Sequence, residues 1–78
     1  MAEHKDMRDM IEVLSISIVR EEAEEQFYRR SASASTSQVV KELFLEIADE
    51  VAKHRQNLEQ RRDRLLGALE DLKKAKGK

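Results

Sequence analysis

A histidine and two glutamates are the residues of this sequence whose types and spacing could bind a metal ion. His54 closes the stretch IADEVAKH, and Glu21 and Glu25 lie one helical turn apart in REEAEEQFY. Carboxylate oxygens and an imidazole nitrogen suit Fe, Mn or Zn, and the chain has no Cys to add a sulfur ligand. A carboxylate in a protein core is costly unless it is paired, hydrogen-bonded, protonated or bound to a cation. What surrounds these three side chains therefore decides whether they form a site.

Two long helices must position these residues. The 78-residue chain has no Pro and only two Gly, both of which are costly inside helices. One break in composition occurs at SASASTSQ, residues 31–38, where Ser35 and Gln38 have the spacing of a capping box. We therefore predict a single domain, residues 1–78, with one helix at about 5–32, a second at about 38–73 and a disordered tail at 74–78.

Apolar spacing predicts which face of each helix is buried. The predicted seam of the first helix is Ile11, Leu14, Ile18, Glu21, Glu25, Tyr28 and Ala32. The predicted seam of the second is Val40, Phe44, Ile47, Val51, His54, Leu58, Arg61, Leu65 and Ala68. If the chain folds back at about residue 35, Glu21 lies near positions 49–51, within a turn or two of His54. Glu21, Glu25 and His54 are thus expected at about the same height along the hairpin.

Further apolar residues widen both stripes beyond what one partner helix can cover. A chain of this length also buries only about 60% of its unfolded surface, so a lone hairpin is marginally stable. We predict an all-α fold, in which an antiparallel helical hairpin pairs with a second copy into a dimeric or larger four-helix bundle. Two copies of Glu21, Glu25 and His54 supply four carboxylates and two imidazoles, the ligand inventory of di-metal sites in bundle cores.

The charge balance argues against several other classes of partner. The 15 Lys and Arg nearly cancel the 16 Asp and Glu, so we expect neither nucleic-acid binding nor attraction to an anionic membrane. No segment has the 18 or so continuous apolar residues of a membrane span, and the N-terminus lacks an apolar signal core. We expect a cytoplasmic homo-oligomer without an organic cofactor.

Two blocks of the sequence resemble a known family. REEAEEQFYRRSA and VKELFLEIADEVAKH are similar to the rubrerythrin-type branch of the ferritin-like superfamily, and more closely to its half-length members, which supply one helical hairpin per chain. The resemblance covers about residues 13–60. It implies that Glu21 and His54 are metal ligands, that Tyr28 lies near the site, that the metal is iron, and that ferrous iron is oxidised by oxygen or peroxide.

The sequence departs from the family pattern at Val51, which stands where the family has a bridging Glu three residues before the His. Glu50 is adjacent but lies about 100° around the helix, so it is a poor replacement. Glu25, one turn past Glu21 on the same seam, could restore the lost carboxylate from the opposite helix. Tyr28 is expected either to pack in the core or to hydrogen-bond a ligand Glu, and Glu50 is expected beside the ligands.

Three interpretations remain open at this level. The first is a ferritin-like metal protein that uses Glu21, His54 and Glu25. The second is a metal-free helical interaction module, in which the polar seam residues form a hydrogen-bond or ion-pair cluster that sets the register. The third is a helical dimerisation module unrelated to ferritins. Arg61 is expected to be a bundle-end residue that reaches toward water or pairs with Asp9 or Glu12.

Overall fold

Two helices joined by a three-residue connection make up the computed structural model, which describes residues 2–76. Helix α1 is Ala2–Ala34 and helix α2 is Gln38–Lys76. The expected all-α antiparallel hairpin is confirmed, in a rod of 62 × 14 × 13 Å. Both helices are longer than predicted, and positions 74–76 of the expected disordered tail are helical. Residues 77 and 78, the rest of that tail, lie outside the described residues.

The connection between the helices carries the N-terminal cap of α2. Because Gln38 is the first helical residue, the capping position is Ser37, whose Oγ accepts a hydrogen bond from the Val40 amide at 3.3 Å. The predicted capping box between Ser35 and Gln38 is wrong. The Ser35 Oγ instead accepts a hydrogen bond from the Ser37 amide at 3.3 Å and so shapes the turn itself.

The predicted seam of α1 does face α2. All seven seam residues are buried or half-buried, and Leu14 and Ile18 form a core cluster with Leu58, against which Leu65 packs. This stripe keeps its position along α1 because its steps of three and four follow the helical repeat. It therefore carries Glu21 and Glu25 into partly buried positions between the helices.

The predicted seam of α2 needs a correction in one of its two rows. The members that are buried or half-buried, as predicted, are Phe44, Val51, Leu58, Leu65 and Ala68. Ala48 is fully buried, whereas Ile47 and His54 are exposed, and Arg55 takes the inward position beside His54. Val40 and Arg61 of the predicted seam are exposed as well. The two stripes of α2 lie side by side, and the small Ala48 side chain allows α1 to pack closely against the one that contains it.

The other stripe of α2 and a matching stripe of α1 form one uncovered side of the hairpin, here named the open face. Its α1 row is Met10, Val13, Ser17, Arg20, Glu24 and Phe27, and its α2 row is Val40, Leu43, Ile47, Glu50, His54, Asn57, Arg61 and Arg64. Met10 of α1 shares a groove with Arg61, Arg64 and Leu65 of α2, so both rows lie on the same side. Neither described helix is long and apolar enough to cross a membrane.

Candidate metal centre

Glu21 and His54 meet across the two helices. The Nδ1 atom of His54 lies 2.8 Å from both Oε1 and Oε2 of Glu21. A carboxylate can only accept hydrogen bonds, so this contact requires the proton on Nδ1. It lies about one turn further along α2 than the expected register, because α1 continues to Ala34 before the chain turns. The predicted pairing of a carboxylate and an imidazole is thus present in the folded chain.

The contact lies at the edge of the open face. The Glu21 side chain is 20% exposed, whereas that of His54 is 57% exposed. A divalent ion binds nitrogen and oxygen ligands at about 2.0–2.2 Å, which separates two ligand atoms at right angles by about 3 Å. The observed nitrogen–oxygen separation of 2.8 Å is close to that value. These two side chains could therefore supply two ligands with little movement, with the ion replacing the proton on Nδ1.

Glu25 has a different environment, between two arginines. The Nε atom of Arg29 donates a hydrogen bond to its Oε2 atom at 2.8 Å, and Nη2 of Arg55 lies 3.2 Å from its Oε1 atom. The carboxylate is 16% exposed and the Arg55 side chain 22% exposed. Arg29 continues the cluster to Asp49 at 3.1 Å, and the Nε atom of Arg55 lies 4.0 Å from Glu59. Two guanidinium groups thus already neutralise Glu25.

This cluster bears directly on the expected third ligand. The hydrogen bond to Glu25, followed by the one to Asp49, raises the pKa of the Arg29 guanidinium, which keeps it cationic wherever the protein folds. A metal ion at Glu25 would have to displace Arg29 and Arg55 from the two carboxylate oxygens. The role of Glu25 as a ligand stays a prediction, and the geometry favours a structural ion pair.

The remaining predicted site residues frame the contact. Val51 is half-buried and offers no oxygen to a metal. The Tyr28 ring packs at 5.4 Å edge-on against Phe27 and at 6.3 Å against Phe44. Glu50 is exposed on the open face. Tyr28 therefore packs against two aromatic rings. Hydrogen bonds from Tyr28 or Glu50 to a metal ligand stay a prediction.

A single chain does not complete a metal site. Within residues 2–76 no group of three or more His, Cys, Asp or Glu side chains is placed to hold an ion. Glu21 and His54 would supply two ligands, and a structural or catalytic site needs three or four. The described part of one chain therefore supplies at most two of the ligands that an ion needs at this point.

Arg55 is the functional residue that the sequence interpretation missed. The signal was available, because positions 48, 55, 62 and 69 repeat every seven residues and all four are buried or half-buried. Arg55 and Arg62 make this repeat less apolar than the adjacent stripe of α2. Apolar spacing alone therefore favours the adjacent stripe as the seam.

Comparison with known proteins completes the description of the site. Neither the curated proteins nor the solved structures that were searched gave a match to the chain. The family model described as Rubrerythrin matches residues 12–78, a span that includes Glu21, Val51 and His54. Since that match extends over most of the sequence and both of its helices, the chain belongs to the rubrerythrin family.

Proposed function

We propose that this protein binds a divalent metal ion, iron or a related ion such as Mn or Zn, through Glu21 and His54 of two chains that pair by their open faces. The single observation that carries the proposal is the contact of His54 Nδ1 with both Glu21 oxygens at 2.8 Å. It joins a carboxylate and an imidazole from different helices, at the edge of the surface that a second chain would cover.

The chemistry of the four ligands sets the class of ion. Two carboxylates and two imidazoles without sulfur suit Fe, Mn or Zn. Binding itself is the proposed function. Ferrous-iron oxidation, the activity that family membership implies, requires in addition that the bound ion keep a position open to oxygen or peroxide.

Metal titration of the purified chain tests the proposal. Protein freed of metal by chelation is titrated anaerobically with ferrous iron, and separately with cobalt(II), by calorimetry and by the thermal melt. We expect about one ion per two chains. At a free ion concentration 100 times the Kd, the free energy of unfolding should rise by about 2.7 kcal/mol. No binding at micromolar concentrations would overturn the proposal.

Matched variants separate the ligands from their neighbours. His54→Ala and Glu21→Gln should each abolish the stabilisation by metal, whereas Glu22→Gln and His4→Gln should leave it intact. Glu25→Gln should weaken folding without changing the number of ions bound, since Arg29 and Arg55 already neutralise that carboxylate. If Glu25→Gln also removes the bound ion, the two-ligand half-site is wrong.

A second candidate function is a metal-free helical interaction module. Val51 and the pairing of Glu25 with Arg29 and Arg55 favour it, because they leave fewer carboxylates in need of a cation. The same titration distinguishes the two functions. A metal-free module should assemble and melt identically in chelator and in metal. The His54→Ala variant should then also melt at the same temperature in both.

A further inference from the structure

Two arginines of α2 line an apolar groove of the hairpin and form no ion pair within the described part of the chain. Arg61 and Arg64 lie one turn apart, and both are exposed. Neither takes part in the ion pairs formed among residues 2–76. Of the partners expected for Arg61, Asp9 instead contacts the Lys5 ammonium at 2.8 Å. Both guanidinium groups therefore keep their hydrogen-bond donors available to a ligand.

The floor of this groove is apolar and comes from both helices. Met10 of α1 and Leu65 of α2 line it together with the two arginines, in a volume of about 260 Å³. Met10 is 49% exposed, and Leu65 packs against the buried core cluster. Sites for drug-sized ligands have volumes of about 300–1,000 Å³, so an occupant of this groove is smaller. An apolar floor with a cationic rim matches a small anion that has an apolar body.

Positive charge dominates the lining of the groove. Its lining within the described residues holds two guanidinium groups and no carboxylate. By helical position, Asp6 lies one turn before Met10 on the same side of α1, and Asp71 lies two turns beyond Arg64 on α2. Both carboxylates are exposed, and neither forms an ion pair with an arginine of the groove. They reduce the positive potential without occupying the two guanidinium groups.

The larger hollow of the open face does not share this charge. It has a volume of about 510 Å³ and is lined by Arg20, Ala23, Glu24, Phe27 and Tyr28. Arg20 and Glu24 lie one turn apart and carry opposite charges, so the lining is neutral as a whole. All five residues belong to α1, so a ligand there gains no contact with α2. The groove at Met10 is therefore the one of the two that selects an anion.

We propose that this groove binds a small amphiphilic carboxylate, such as a medium-chain fatty acid. The carboxylate lies on Arg61 and Arg64, because a guanidinium group presents parallel N–H donors that match two carboxylate oxygens. The alkyl chain lies on Met10 and Leu65, and the flexible, polarisable Met side chain adapts to it. The bound ligand thus joins α1 to α2 on the half of the hairpin that is nearer the chain ends.

This site is separate from the candidate metal centre. Arg61 lies seven residues beyond His54, which is about 10 Å along α2 at 1.5 Å per residue. The groove uses neither Glu21 nor His54, and it requires only one chain. A second chain on the open face would cover the same groove, so ligand and second chain compete for it. That competition rests on the dimer of the proposed function, whereas the site itself does not.

Methionine methyl NMR tests the site. Protein with ¹³C-labelled methionine methyl groups is titrated with sodium octanoate in chelator, at several protein concentrations and below the concentration at which octanoate forms micelles. The Met10 signal should shift and saturate, and Met7, which does not line the groove, should keep its position. Acetate and octyltrimethylammonium should bind about tenfold or more weakly, because each lacks the alkyl chain or the negative charge. An unmoved Met10 signal at every protein concentration overturns the proposal.

Arginine variants test the role of charge. Arg61→Gln with Arg64→Gln should weaken octanoate binding about tenfold or more, since both charge-assisted hydrogen bonds are lost. Arg8→Gln with Arg30→Gln removes the same charge from two exposed arginines outside the groove and should leave the affinity unchanged. Far-UV circular dichroism checks that both double variants are helical. Equal losses in the two variants would show attraction to net charge alone and refute the site.

Removing a nearby carboxylate should have the opposite effect. Asp6→Asn should strengthen octanoate binding, because the exposed carboxylate one turn from Met10 repels the ligand. Glu22→Gln changes the net charge equally away from the groove and should leave the affinity unaltered. Weaker binding by the Asp6→Asn variant would contradict an anionic ligand at this place.

Sedimentation equilibrium separates the site from the dimer of the proposed function. Octanoate should increase the fraction of single chains in the unmodified protein and should have no such effect on the Arg61→Gln, Arg64→Gln variant. A protein that is monomeric without octanoate overturns the dimer and the competition, and the Met10 shift then decides the site by itself. A saturable Met10 shift in a protein that binds no metal overturns the proposed function and supports the groove.

Discussion

At the scale of residues, two glutamates one turn apart on α1 have opposite environments. Glu25 points between Arg29 and Arg55, whose guanidinium groups supply fixed positive charge. Glu21 meets only the exposed ring of His54. A fixed cation satisfies a partly buried carboxylate without any ion, whereas an imidazole at an exposed edge leaves room for one. Of the two seam glutamates, Glu25 thus belongs to a structural ion pair and Glu21 is a candidate ligand.

The Glu25–Arg55 ion pair should contribute measurably to stability. Arg55→Met leaves the partly buried Glu25 with one partner, and we expect it to lower the free energy of unfolding by about 1–3 kcal/mol. The double variant Glu25→Leu with Arg55→Met should recover much of this loss, because both charges are then removed together. Urea unfolding of the two single variants and the double variant measures the coupling.

An exposed ion pair provides the control for the double-mutant cycle of Glu25 and Arg55. The Lys5 ammonium and the Asp9 carboxylate lie 2.8 Å apart on the surface of α1 with more than half of each side chain exposed. Lys5→Met should lower the free energy of unfolding much less than Arg55→Met does, because exposed ion pairs contribute little. Equal losses for Arg55→Met and Lys5→Met would contradict a special role for the inner pair.

At the scale of elements, the hairpin depends on where α2 begins. Helix α1 ends at Ala34 and α2 begins at Gln38, so three residues reverse the chain. The Ser37 hydroxyl accepts a hydrogen bond from one of the free amide groups of the first turn of α2. With three residues in the connection, that cap fixes where α2 begins relative to the end of α1.

Ser37→Ala should lower the free energy of unfolding by about 1 kcal/mol, because the amide of Val40 loses its acceptor. Ser37→Asp should retain most of the stability, since a carboxylate also caps and interacts favourably with the helix dipole. Thermal unfolding at a fixed protein concentration makes the comparison. Thr36→Ala is the matched control, and a loss as large as that of Ser37→Ala would show that the cap lies elsewhere.

At the scale of the whole molecule, the hairpin is too thin to bury a large core. It measures 14 × 13 Å across, and the buried core cluster is Leu14, Ile18 and Leu58. The open face leaves Val13 at 61% and Leu43 at 53% exposure. Apolar area of this kind is worth roughly 25 cal/mol per Å² when it leaves water, so a second chain is the natural source of stability.

Stability should accordingly depend on protein concentration. A dimer that unfolds to two chains gains about 2.7 kcal/mol per mole of dimer for each 100-fold increase in concentration, so the melting temperature should rise between low micromolar and high micromolar protein. Light scattering should give a mass of twice the 9.1 kDa of the chain. A melt that does not move with concentration, together with a monomeric mass, would contradict pairing through the open face.

The sequence by itself determined the two helices, the inward stripe of α1 and the two family blocks. Each follows from local chemistry: few helix breakers, a run of serines and an apolar repeat of three and four. Tertiary structure decided which of two adjacent stripes on α2 faces α1. Both stripes repeat with the same period, so local spacing does not distinguish them, whereas the burial of Ala48 and the contact of Arg55 with Glu25 of α1 do. That choice placed His54 at the open edge and Arg55 beside Glu25.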